Sequence, residues 1–225
     1  MMEAVQIRYP LFELPGSLQI TGASFSGKST ILFSILKNRK ALFTKYPETV
    51  IYCYVHHPGK ALDGVENLVM HYGLPDIETL EGWVDSYSEK PWILALDDMS
   101  SDFYSSEISR MLMTRLVHHA SVYLIVVGHR IFSGDRHARL ASLNFHGFIF
   151  TRNVRDVESY GHFARQVLGA GYSKKFVNCY LDATQLKPGR IGYLYVSLHP
   201  LYSSRNFMLW TNVLPEESPL ILYRL

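Results

Sequence analysis

Short, nearly uninterrupted apolar runs alternate along this chain with longer stretches in which apolar residues recur every three or four positions. Runs of the first kind suit strands buried on both faces, and the second kind suits helices with one buried face. The pattern predicts strands at Ser17–Thr21, Thr49–Val55, Trp92–Leu96, Val122–Val127 and Gly147–Phe150. It predicts helices at Lys28–Lys37, Ile77–Tyr87, Ser105–Ala120, Val157–Leu168 and Lys174–Leu181. Further strands are expected at Gly192–Leu198, Asn206–Thr211 and Leu220–Arg224, joined by Pro- and Gly-bearing spacers such as LKPGRIG. Strands alternating with helices imply an α/β fold with a mostly parallel sheet flanked by helices. The last three strands, from about residue 190 to 225, read as a β-rich, antiparallel extension of one sheet edge. No repeat or linker interrupts the 225 residues, which are therefore read as a single domain.

Composition narrows the class. At 48% hydrophobic and 19% charged, the chain can bury a substantial core. No run approaches the roughly 20 apolar residues of a membrane span, and the opening MMEAVQIRYPLFELPG lacks a signal-peptide core. A soluble, intracellular protein without membrane insertion is expected. Cys53 and Cys179 are too few for a disulfide framework and stand in no zinc-binding spacing. The formal net charge is only +2, yet the segment from Arg130 to Arg190 holds ten Lys/Arg against four Asp/Glu. That basic half suits a polyanionic partner, and scattered solvated charges account for it equally well.

Gly22-Ala-Ser-Phe-Ser-Gly27-Lys28-Ser29 matches the P-loop pattern G-x-x-x-x-G-K-[ST], between an apolar run and a helix-forming one. Its glycines let consecutive N–H groups close on phosphate oxygens, and the helix that follows points its positive end at the same anion. Residues Gly22, Ala23, Ser24, Phe25, Ser26, Gly27, Lys28, Ser29 and Thr30 are thus the expected cradle for a nucleoside triphosphate. Lys28 would reach the β- and γ-phosphates, and the Ser29 hydroxyl would ligate Mg²⁺.

Phosphate chemistry also needs an acidic group at the end of another buried strand. Trp92-Ile-Leu-Ala-Leu-Asp97-Asp98 supplies it. Ligands of open α/β sheets lie beyond the carboxyl ends of the strands, so Asp97 is expected beside Ser29 as the second Mg²⁺ partner. Asp98 is placed to orient or deprotonate an attacking water, with capping of the Ser100–Tyr104 segment as the competing assignment. His129, at the end of the run Ser121–Val127, is the candidate γ-phosphate sensor; a simple exposed strand-end histidine is the alternative. A strand inserted between the P-loop strand and the acidic strand would mark the additional-strand class of P-loop NTPases. Chain order alone only hints at that insertion.

The segments that follow form an ordered series: Gly128-His129-Arg130-Ile131-Phe132, then Arg139-Leu-Ala-Ser-Leu-Asn144, then Arg152-Asn153-Val-Arg155-Asp156. The series resembles the genome-packaging ATPases of poxvirus and Polinton (adintovirus) type, within the FtsK–HerA superfamily of P-loop NTPases. Those proteins read Thr-Gln-Asn-Leu-Phe, Arg-x-x-Ser-x-Asn and Lys-Asn-x-Arg-Asp at these places. Similarity continues through Phe163-Ala-Arg165-Gln166, Tyr180-Leu-Asp182-Ala183-Thr184 and Gly192-Tyr193-Leu-Tyr-Val-Ser, ending at Leu209-Trp-Thr211-Asn212-Val-Leu-Pro215. His129-Arg130 stands where the family has Gln-Asn, and Gly128 replaces its Thr.

The resemblance implies an additional-strand, RecA/FtsK–HerA-like ATPase that pumps double-stranded DNA into a preformed capsid, using ATP and Mg²⁺. It implies a homo-oligomeric ring, a pentamer or hexamer, seated at a capsid vertex or portal-like site in an infected cell. In such rings an arginine from the neighbouring subunit acts on the transferring phosphoryl group. Arg139 matches the family's motif and is the first candidate, an ion pair with Asp135 being its competing role; Arg155 and Arg136 stand in reserve. A motor must hold any DNA sequence, so phosphate contacts should dominate, with Lys174, Lys175, Lys187 and Arg190 as candidates against ordinary solvation. Tyr193, Tyr195, Phe207 and Trp210 read as core packing at period two rather than as a base-stacking platform.

Overall fold

The computed structural model describes the backbone of residues 2–4 and residues 11–113, 121–131, 143–185, 189–199 and 208–225. Ten strands form one sheet: β1 (Met2–Ala4), β2 (Gly16–Thr21), β3 (Thr49–Tyr54), β4 (Leu68–Tyr72), β5 (Trp92–Asp97), β6 (Val122–Gly128), β7 (Gly147–Thr151), β8 (Tyr193–Ser197), β9 (Leu209–Thr211) and β10 (Ile221–Tyr223). Their spatial order is β1-β10-β9-β8-β7-β2-β6-β5-β3-β4. Pairing is parallel from β7 through β2, β6, β5 and β3 to β4, and antiparallel from β7 through β8, β9 and β10 to β1. The expected parallel sheet with an antiparallel edge extension is therefore observed. β6 lies between β2 and β5, so the P-loop strand and the acidic strand are separated by one inserted strand. This is the additional-strand arrangement.

Burial explains the order. Every residue of β2, β5, β6 and β7 is buried, whereas edge strand β4 is only partly covered. Alternate residues of each central strand point to opposite faces. Leu18, Ile20, Ile93, Ala95, Ile125 and Val127 pack on one face with Ile31, Leu32, Ile35 and Leu36 of α1 (Lys28–Lys37). Leu94, Leu96, Leu124 and Val126 pack on the other, in the cluster that holds Leu80 of α3 (Ile77–Tyr87). Phe148 and Phe150 extend that face toward Tyr160 and Phe163 of α6 (Val157–Leu168) and Phe176 of α7 (Ser173–Ala183). A short α2 (Arg39–Leu42) closes the α1 side.

One expected helix is corrected. The helix predicted at Ser105–Ala120 starts instead at Glu107, as α5 (Glu107–Met111), with Ser105 ending a separate α4 (Ser100–Ser105) and residues 114–120 outside the described ones. The break falls at Ser106, whose backbone is extended. Its hydroxyl donates to Phe103 O at 2.7 Å, and Ser109 Oγ donates to Ser106 O at 2.9 Å. Serine side chains that bond to nearby backbone compete in this way with helical hydrogen bonds. Among the described residues no helix is long and apolar enough to cross a membrane.

Candidate functional site

β2 ends at Thr21 and the chain turns sharply at Gly22. A Cβ at Gly22 would lie 1.9 Å from Thr151 Oγ1, because the end of β7 is fastened to this loop. Thr151 Oγ1 donates to Thr21 O at 3.1 Å and meets Ser26 Oγ at 2.5 Å, while Ala23 N donates to Arg152 O. Gly27 takes a left-handed backbone with φ of 91° and stands at the N-terminus of α1, where no side chain caps the helix. The first N–H groups of α1 are thus left for an external acceptor, the requirement for binding an anion. Phe25, at φ of 58°, carries its ring fully exposed at the loop's tip.

On one side of the loop a cleft of about 440 Å³ gathers Lys28, Ser29, Tyr52, Asp97, Asp98 and His129. The carboxylate at the end of β5 is shared: Ser29 Oγ donates to Asp97 Oδ1 at 3.2 Å, and Tyr52 OH donates to Oδ2 at 2.6 Å. Burial pushes the Asp97 carboxyl above its ordinary value, and these two hydrogen bonds and Lys28 oppose that shift. Burial likewise lowers the Lys28 ammonium, against the attraction of Asp98 and Asp97. Lys28 Nζ donates to Ala23 O at 2.9 Å and makes a long contact of 3.5 Å with His129 Nδ1. His129 Nε2 lies 3.0 Å from Asp98 Oδ1. His129 thus bridges Lys28 and Asp98 through its two ring nitrogens. Asp98 itself is held at φ of 60°, a conformation few non-glycine residues adopt.

Beyond the loop's other side lies a cavity of about 760 Å³, walled by Ala23–Gly27 and by Arg152, Asn153, Arg155, Thr184, Arg190 and Ile191. It is formed from three separate stretches of chain that follow β7, α7 and the residues leading into β8. Tyr180 of α7 holds one of these stretches in place, donating to Thr151 O at 3.2 Å and accepting from Asn153 N at 2.8 Å. Arg152 Nη1 donates to Thr184 O at 3.2 Å. Ile191 fills the space above Gly27, where a Cβ would come within 2.6 Å of its side chain.

The structure therefore gathers Lys28, Ser29, Asp97, Asp98 and His129, the residues singled out from the sequence, around one P-loop. Arg139 and Arg136, the leading and one reserve arginine, lie outside the described residues, as does Lys187. Arg155 and Arg190 line the cavity beside their own chain's P-loop, while Lys174 and Lys175 stand exposed at the start of α7. Ser17 Oγ donates to Asn144 O at 3.2 Å, so the Asn144 backbone ties the approach to β7 onto β2. The glycine at 128 has a local reason: Ser100 Oγ would sit 2.1 Å from a Cβ there, so α4 begins in space that a threonine would fill. Tyr52, Thr151 and the far-side cavity were not legible from motif spacing. The only hint of Tyr52 was its place in a strand that could neighbour the acidic one.

The Ser29 hydroxyl and one Asp97 oxygen form a contiguous pair of hard oxygen donors beside the lysine. That pair fits Mg²⁺, which takes one or two carboxylates and completes its octahedron with phosphate oxygens and water. Among the described residues no group of three or more His, Cys, Asp or Glu could hold a metal ion by itself.

No known protein family and no curated protein matches the sequence. Among solved structures, the chain is similar in fold to B204, the DNA-packaging ATPase from Sulfolobus Turreted Icosahedral Virus. The TM-score is 0.52 at 14% identity, over 82% of this chain and 93% of that one. It is also similar to the cytoplasmic domain of the Thermomonospora curvata type VII secretion ATPase EccC, with a TM-score of 0.52 at 15% identity. That match covers 92% of this chain and 25% of the other. At such identities the likeness is one of fold: a P-loop ATPase sheet with its inserted strand.

Proposed function

We propose that this protein is an ATP-hydrolysing motor of FtsK–HerA type that moves double-stranded DNA into a viral capsid. The observation that carries the catalytic half of this reading is the 3.2 Å contact between Ser29 Oγ and Asp97 Oδ1 across the inserted strand, with Lys28 and Asp98 alongside. The packaging half is supported by the ordered downstream motifs of poxvirus and Polinton type and by the fold likeness to B204.

In this reading the loop's N–H groups and Lys28 bind the β- and γ-phosphates, and the far-side cavity receives the nucleoside. Mg²⁺, held by Ser29 and Asp97, would neutralise charge on the β- and γ-oxygens. Asp98 accepts the proton of the attacking water; His129, in contact with both Asp98 and Lys28, senses the γ-phosphate. Arg139 of a neighbouring subunit in the ring stabilises charge on the transferring group. DNA is held through its phosphates by the basic half of the chain.

ATP turnover is measured for the wild type and for Lys28→Ala with and without double-stranded DNA. The expected result is Lys28-dependent turnover that DNA stimulates, with DNA affinity falling steeply with salt and varying little with sequence. No Lys28-dependent turnover in any assembly state would overturn the enzyme reading. A second reading, raised by the fold likeness to the secretion ATPase EccC, is a motor whose cargo is not DNA. Lys28-dependent turnover indifferent to DNA would select it.

A further inference from the structure

We infer that Tyr52 is a positioning residue for the acidic strand end, dividing the Asp97 carboxylate so that Oδ1 faces Ser29 and the metal. This inference rests on the ATPase reading of the cleft. Tyr52 lies on β3, is wholly buried, and belongs to none of the phosphate-binding motifs. Its hydroxyl donates to Asp97 Oδ2 at 2.6 Å, while Oδ1 accepts from Ser29 at 3.2 Å. One carboxylate oxygen is thus engaged by a neutral donor from behind, and the other is directed at the hydroxyl expected to share its metal.

The geometry is locked rather than incidental. The Tyr52 ring meets the Phe33 ring edge-on at 6.0 Å and stacks on Tyr54 at 6.0 Å and 14°. Phe33 lies on α1, one helical turn beyond Ser29, so the helix that presents the hydroxyl also walls the ring that aims the carboxylate. Partners of this kind fix the orientation of metal-binding side chains, and their loss costs 10–100-fold in metal affinity.

The test uses Tyr52→Phe, which removes the hydroxyl and keeps the ring. Mn²⁺ affinity in the presence of ADP is read by electron paramagnetic resonance, ADP affinity in EDTA by fluorescence, and folding by thermal melting. The expected outcome is an approximately tenfold or greater loss of Mn²⁺ affinity, with ADP affinity in EDTA within about twofold of wild type, the precision of such fits. In an Asp97→Asn background the same substitution should cause no further loss, because a residue acting through Asp97 has nothing left to position. Should Tyr52→Phe melt too low to assay, Phe33→Leu, which loosens the ring but keeps the hydroxyl, should weaken Mn²⁺ in the same direction. Mn²⁺ affinity unchanged in a folded variant, or losses that simply add to those of Asp97→Asn, would overturn the role of Tyr52 and leave the ATPase reading standing. Wild-type protein that binds neither ADP nor Mn²⁺–ADP would overturn both.

Discussion

The brace between β7 and the P-loop can be tested by a single methyl group. In Gly22→Ala the new Cβ would sit 1.9 Å from Thr151 Oγ1 and 2.9 Å from Ser26 Oγ. Neither oxygen can swing away cheaply, since Thr151 Oγ1 also holds Thr21 O at 3.1 Å and Ser26 Oγ donates to Ala23 O at 2.7 Å. The loop must therefore retreat from β7 by about 1.5 Å to restore an ordinary contact, and overpacking of that kind costs roughly 1–3 kcal/mol. For a chain of this length the melting temperature should fall by about 2–4 °C per kcal/mol. A displacement of more than about 1 Å in a phosphate-positioning loop should also lower kcat/KM for ATP by roughly 10²-fold or more.

Thr151→Ala alone loses a hydrogen bond to Thr21 O and a contact with Ser26, each worth about 1 kcal/mol, and should slow turnover less than tenfold. Combined with Gly22→Ala, it removes the nearer colliding oxygen and releases Ser26 Oγ from its contact with Thr151, so that the 2.9 Å approach to Ser26 can relax. The remaining Thr151 Cβ lies 3.1 Å from the new methyl, a contact that small shifts can relieve. The double variant should therefore be at least about tenfold more active than Gly22→Ala, a coupling of more than about 1.4 kcal/mol between two changes that are each harmful alone. Steady-state ATP turnover and thermal melting of the four proteins decide it. A double variant whose losses equal the product of the singles would refute the claim that Thr151 sets the position of the loop.

Three further outcomes follow from the same geometry. Asp97→Asn should melt higher than wild type at neutral pH without nucleotide. Burial raises the Asp97 pKa above the ordinary 3.8, so its stabilising contribution exists in the acid and is lost as pH rises through the folded value; the gap should therefore close as pH is lowered toward 4, by calorimetry at several pH values. Asp98→Asn keeps a residue that tolerates positive φ and should fold normally, yet turnover should drop by about 10²–10⁴-fold with nucleotide affinity nearly unchanged. Arg39 is buried and donates to the carbonyls of Pro47, Leu36 and Glu66 at 2.9–3.0 Å. Arg39→Met strands those carbonyls at about 1–3 kcal/mol for any that stay dry, so the melting temperature should fall by roughly 5–10 °C while the Asp97 cleft is untouched.

What could be read from the sequence was whatever one stretch of chain determines for itself. Helices at Lys28–Lys37, Ile77–Tyr87 and Val157–Leu168 have the predicted bounds because their ends are local events: Gly27 before the first, Asp76 accepting from Thr79 N before the second, Gly169 after the third. The buried strands were legible from continuous apolar runs. β4 was missed because an edge strand carries no such run: Leu68-Val-Met-His-Tyr72 is half exposed, and Tyr72 mostly so. The break at Ser106 was missed because apolar periodicity does not register a hydroxyl competing for backbone. Motif spacing placed Lys28, Ser29 and Asp97 in one site. It gave no account of Tyr52 or of the cavity walled by Arg152, Thr184 and Ile191, since those depend on which strands become neighbours and on three loops meeting.

Several residues that violate local preferences meet in one place. Phe25 and Asp98 hold positive φ values, Phe25 exposes a whole aromatic ring, and burial shifts both Asp97 and Lys28 against their charged forms. Each is unfavourable for a chain selected only to fold, and all four line the same cleft beside the P-loop. Strands β5 and β6 beneath them show the opposite pattern, buried throughout and almost wholly apolar up to the ends that reach the loop. A strained, charged cleft resting on so regular a sheet is what an anion-binding catalytic site requires: the sheet supplies the stability that fixed, desolvated charges consume. It follows that substitutions neutralising the cleft should raise stability while removing activity, whereas substitutions in β5 or β6 should lower both together. That division separates a working nucleotide site from a P-loop retained only as a structural turn.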